Sequence, residues 1–98
     1  MSEVAIVDTG GEPVLVLPAV LDFSAADGLL AAARQLAGRA CLVDGAAVTR
    51  FSTPCAQILL ALGRRPEPMT LLHPSEQLIS ALGELGILDQ FKVRIDPQ

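Results

Sequence analysis

The sequence predicts an α/β fold, and three observations predict it. Short runs of Val, Leu and Ile alternate along the chain with segments whose apolar residues recur at helical spacing. Glycine, proline or a small polar residue stands at most junctions between them. Half the residues are hydrophobic (51%) and only 3% aromatic, so one aliphatic core can form without disulfide or metal staples. At 98 residues the chain is expected to be a single domain over 1–98.

Val4 to Val7 is the first β-prone run, and Asp8-Thr9-Gly10-Gly11 is a strong turn signal. Val14 to Leu17 resumes as a second strand, so the two pair most economically as a hairpin. Pro13 suits a strand start, and Pro18 a bulge or sheet edge. Asp22 to Asp27 opens the first helix, with Ser24 and Asp27 in capping-box spacing. Leu29, Ala33 and Leu36 fall on one face with Leu30 and Ala37 beside them, and Gly38 ends the helix.

Ala40 to Asp44 is an unalternated apolar run ending in a carboxylate, which suggests a central parallel strand buried on both faces. The chain then crosses through Gly45 to Arg50 and reaches Ser52-Thr53-Pro54. Proline is favoured at the first helical position, so Thr53 is the expected N-cap of a second helix. Cys55, Leu59 and Leu62 share its buried face, joined by Ile58. Gly63 closes it, with Arg64-Arg65 at its negative end.

Pro66-Glu67-Pro68 is a stiff connector, Met69 to Leu72 a fourth strand. Ser75 caps a third helix on which Leu78, Leu82 and Leu85 repeat, with Ile79 alongside; Gly86 stops it. In the tail, Phe91, Val93 and Ile95 alternate with Lys92, Arg94 and Asp96, the pattern of a half-buried edge strand. The order β-β-α-β-α-β-α implies a layered structure with right-handed crossovers.

Composition excludes several function classes. Formal net charge is −4 and cations are scattered, which disfavours nucleic acid, as does the scarcity of aromatics. Val14 to Leu21, the most apolar stretch, is far shorter than the ~20 residues of a membrane span, so no membrane insertion is expected. An acidic N-terminus without a signal-peptide pattern and two unpaired-looking cysteines, Cys41 and Cys55, point to the cytoplasm. No metal-ligand spacing, glycine-rich phosphate loop or nucleophile–histidine constellation is present, so neither metal, cofactor nor catalysis is expected. The lone His73 reads as a strand-end polar residue, and Arg64-Arg65 as a helix-terminal charge pair. What remains is a protein-binding domain, monomeric or weakly dimeric through an exposed edge strand.

The element order and several residues resemble the STAS domain, the fold of bacterial anti-sigma-factor antagonists. The likeness runs from Val14 to Phe91. Val14 to Asp22 resembles the family's opening strand with its Leu-Asp before the first helix. Leu42-Val43-Asp44 is similar to its central strand, and Leu71 to Ser75, Leu78, Leu82, Gly86-Ile87 and Phe91 resemble its closing strand and helix. The resemblance implies a four-to-five-stranded mixed sheet with three or four helices. It also implies a non-enzymatic role in signal transduction and transcription regulation through a protein partner.

In the family, the loop before the second helix carries an acidic-hydroxyl-x-Gly pattern whose first hydroxyl a partner serine kinase phosphorylates. The matching residue is Thr53, with Ser52 as the neighbouring acceptor. Here Ser52 stands in place of the Asp and Cys55 in place of the Gly. Asp22, Ser24, Asp27, Asp44, Ser52, Thr53 and Gln57 are thus the expected partner-binding residues. Leu17 to Asp22 and Cys55 to Leu60 look most like stand-alone STAS proteins encoded with chemotaxis genes. A competing resemblance is to the small cytoplasmic subunit of phospholipid-transport ABC complexes, whose threonine at this position contacts the ATPase.

Overall fold

The expected N-terminal hairpin forms from β1 (Ala5–Val7) and β2 (Val14–Val16), paired antiparallel with Ala5 opposite Val16. The computed structural model describes residues 4–8 and 10–95; Thr9, in the expected turn, and Asp96, in the tail pattern, lie outside the described residues. The chain continues through β3 (Val20–Leu21), α1 (Ala26–Gln35), β4 (Cys41–Asp44), β5 (Arg50–Phe51), α2 (Thr53–Gly63), β6 (Met69–Leu72), α3 (Glu76–Glu84) and β7 (Lys92–Arg94). Five strands make one mixed sheet in the order β1-β2-β4-β6-β7, with only the β1–β2 pair antiparallel.

From β2 onward the strands are laid down in one direction across the sheet. Crossovers of a single hand then put every helix on the same face. The core bears this out: Leu15 and Leu17 (β2 and its exit), Cys41 and Val43, and Met69 and Leu71 meet Leu29, Leu36, Leu59, Leu62, Leu78 and Leu82 from all three helices in one cluster. The alternate strand positions, including Val14, Val16, Leu42 and Thr70, are half-buried on the other face. This corrects the expectation for Cys41–Asp44. Its unalternated apolar run does not mean two covered faces; Leu42 sits beside Val14 and Thr70 on a face without a helix.

Two short strands escape the sequence reading. Val20–Leu21 and Arg50–Phe51 pair in parallel as a second, two-stranded sheet. Pro18, buried in the connection, separates β2 from β3 rather than marking a bulge. The first helix also starts differently. Asp22, not Ser24, is the capping residue, and it caps a 3-10 turn over Phe23–Ala25 that leads into α1.

The helix stops follow their glycines. Gly86, at φ 73°, ends α3 in a Schellman arrangement: Ile87 N–H donates to Leu82 O at 3.0 Å and Gly86 N–H to Gly83 O at 3.1 Å. Leu85, expected on the buried stripe of α3, is 43% exposed because the helix has already turned it past the core. The tail strand forms at the sheet edge beside β6, but it is not half-buried. Phe91 is buried, whereas Val93 and Ile95 are exposed.

Candidate partner-binding rim

The two-stranded sheet fixes the site. Register places Val20 beside Arg50 and Leu21 beside Phe51, and Ser52 N–H donates to Leu21 O at 2.8 Å. That pairing brings the loop carrying Asp22 against the start of α2. The Cys55 thiol, in the first turn of α2, reaches Asp22 O at 3.5 Å and ties the two further. Leu21, Asp22, Arg50, Phe51 and Ser52 line one hollow of about 350 Å³.

Asp22 is held firmly by its own loop. Its Oδ1 accepts from the Ser24 hydroxyl at 2.6 Å, from Ser24 N–H at 3.1 Å and from Ala25 N–H at 3.2 Å. These donors, the hydroxyl foremost, lower its carboxyl pKa below the usual 3.8, against a desolvation effect that raises it. Ser24 is therefore engaged as a buttress of Asp22. The residue between them, Phe23, points into solvent with 80% of its surface exposed.

The hydroxyl pair at α2 divides into two unlike groups. Ser52 has extended backbone (φ −94°, ψ 158°) and is the N-cap, so Thr53 is the first helical residue and Pro54 the second. The expected N-cap thus moves back by one residue, since the extended backbone required of a cap falls at Ser52. Yet the Ser52 side chain makes no capping hydrogen bond. Its Oγ is buried and has no hydrogen-bond partner among the described residues. Thr53 is exposed at the positive end of the α2 dipole. Gln57, one turn on, is exposed as well, at the mouth of an apolar groove between α1 and α2.

Asp27 is exposed in the first turn of α1. Asp44 belongs to the main sheet. It closes β4, its Oδ1 accepting Ala46 N–H at 3.0 Å, and does not line the hollow shared by Asp22 and Ser52. Among the described residues no group of three or more His, Cys, Asp or Glu side chains gathers as a metal site, and no helix is long and apolar enough to cross a membrane.

Sequence reasoning missed Phe23, Arg50 and the groove. Phe23 falls outside every apolar period, and that was its only signal. Arg50 read as connection because a two-residue strand leaves no alternation to detect.

No protein-family model matches the chain, and no curated protein sequence matches it. Among solved structures, it superposes on an anti-sigma-factor antagonist (STAS) domain protein from Planctomyces limnophilus with a TM-score of 0.74 and 18% identity. That match covers 100% of this chain and 93% of the other. The fold is that of STAS domains.

Proposed function

We propose that this STAS-fold chain, a single domain over residues 1–98, is a non-enzymatic cytoplasmic regulator. It acts by reversible binding to a protein partner: an anti-sigma factor, a serine kinase or a chemotaxis-linked signalling protein. Thr53 is its switch residue, and Asp22, Asp27, Gln57 and the exposed Phe23 surround the contact, with Ser24 holding Asp22. The observation that carries this reading is the division of the hydroxyl pair. One hydroxyl, on Thr53, is presented to solvent at a helix start, while the other, on Ser52, is enclosed.

A phosphate on Thr53 gains from the helix dipole and adds up to ~2 negative charges to a rim that already holds Asp22 and Asp27. The backbone need not refold. The added charge itself changes what can dock.

Two measurements test this. Incubation with ATP and a serine kinase of the histidine-kinase-like ATPase type, followed by mass spectrometry, should place phosphate on Thr53. Label confined to Ser24 or Ser75, or no label, removes the phosphorylation switch. In pull-downs, Thr53→Glu should change capture of an anti-sigma factor or kinase relative to wild type. Retention of an ABC-transporter ATPase instead would transfer the domain to lipid transport.

A further inference from the structure

The rim continues into a groove that the switch reading leaves unused. It lies between α1 and α2, encloses about 540 Å³ and follows both helices in register with their turns. Leu30 and Ala33 line it from α1 at i and i+3, and Ala37, in the turn just past the helix, follows at i+7. Pro54, Ile58 and Ala61 line it from α2 at i, i+4 and i+7. Small residues on both walls let another backbone approach closely, and Leu30 is left 38% exposed at the lip. From Pro54 to Leu62 the groove runs eight residues along α2, about 12 Å at 1.5 Å per residue. That is just over two turns of helix.

Charge selects the occupant. The groove-lining residues include two arginines and no carboxylate, in a chain whose net charge is −4. Arg65 is engaged within the fold through carbonyls of Leu62, Leu36 and Arg39. Arg34 is exposed, and its guanidinium makes no hydrogen bond or ion pair among the described residues. A second copy does not fit. Two grooves facing each other about a two-fold axis would bring like charges together. The acidic helix α3 already buries Leu78 and Leu82 in its own core.

We infer that the α1–α2 groove receives an amphipathic helix of a protein partner, seated over about two turns, apolar along one stripe and carrying Asp or Glu where it passes Arg34. Helix-in-groove recognition supplies the geometry: apolar anchors at i, i+3, i+4 and i+7 fill the channel, and the flanking carboxylate sets the direction. This deepens the partner-binding reading and rests on it, since the groove begins at Pro54 beside Thr53.

The probe is a displayed library of 16-residue amphipathic helices, with the apolar stripe fixed and the flanking positions randomised among Glu, Lys, Gln and Ser. Selection on the full chain should enrich Glu on one flank. Enriched peptides should lose at least tenfold in affinity on Arg34→Glu and on Ala61→Glu, an exposed position whose substitution leaves folding intact by circular dichroism. Enrichment of Lys, indifference to both variants, or no enrichment at all overturns the inference. Thr53→Glu, measured in parallel against the natural partner, separates the two claims. A partner that responds to Thr53→Glu yet ignores Ala61→Glu keeps the switch and removes the groove.

Discussion

Replacing Arg65 by Met should cost this domain about 2–4 kcal/mol, a large share of a stability that for small domains is about 5–15 kcal/mol. The guanidinium closes the C-terminal ends of two helices at once. Nε donates to Leu62 O at 3.0 Å in the last turn of α2, Nη1 to Leu36 O at 2.6 Å at the end of α1, and Nη2 to Arg39 O at 3.0 Å. Each is a charge-assisted bond to a carbonyl at or just past a helix end, where Leu36 O also accepts Arg39 N–H at 3.0 Å, and is worth roughly 1.5–3 kcal/mol at most before rehydration of the freed groups. The nearby Glu67, 3.8 Å away and 31% exposed, contributes far less; Glu67→Gln should cost under about 0.5 kcal/mol. Met keeps the aliphatic stem, so the loss isolates the fork.

Urea unfolding followed by circular dichroism reads the difference. With an m-value of about 1–1.5 kcal/mol/M, the midpoint of Arg65→Met should fall by about 2 M. Arg65→Lys should recover less than half, because one ammonium cannot reach three carbonyls on separate segments. The deficit should persist in 1 M NaCl, since neutral carbonyls are the acceptors. A midpoint within about 0.5 M of wild type, or a deficit that salt abolishes, would refute the argument.

Three other outcomes are expected. Ser52→Ala should cost less than about 0.5 kcal/mol in the same assay, where an N-cap serine that bonds its helix gives about 1 kcal/mol; a full loss would mean that the hydroxyl does cap. Gly45→Ala should destabilise by about 1–3 kcal/mol, because a Cβ there would stand 2.4 Å from Cδ2 of fully buried Leu78. Pairing it with Leu78→Val should cost less than the two singly, and simple additivity would deny the clash. Asp8 and Asp22 have folded pKa values below the usual 3.8, Asp8 chiefly through its 2.9 Å hydrogen bond from Arg39. Their stabilisation is therefore complete above the unfolded value and disappears as pH falls through the lower folded values. The thermal midpoint should drop below about pH 4, less steeply in Asp22→Ala; parallel slopes in the two proteins would contradict it.

Much of the architecture was legible because the signals were periodic. Leu29, Leu36, Leu59, Leu62, Leu78 and Leu82 announced their helices, and all are buried. The loop at Ser52-Thr53 was legible from proline's preference for a helix start. Its chemistry was not: which hydroxyl is enclosed depends on the β3–β5 pairing, a contact between residues thirty apart in the chain that leaves no local pattern. Arg65 read as one of a charge pair, since sequence gives no hint that Leu36 and Arg39 end within reach of it. The run Cys41–Asp44 misled for a related reason. Apolar content reports that a strand is central, not how many of its faces are covered.

The sheet order has a practical consequence. β1 and β7 occupy opposite edges, so Ala5 and Arg94 are separated by four strand spacings, about 19 Å. A head-to-tail joint between those strands would need at least about six extended residues. Fluorophores coupled at the exposed Val7 and Val93 positions would therefore stand on a built-in ruler across the sheet. Docking of a partner on the helix layer should leave that ruler unchanged, whereas unfolding should lengthen it.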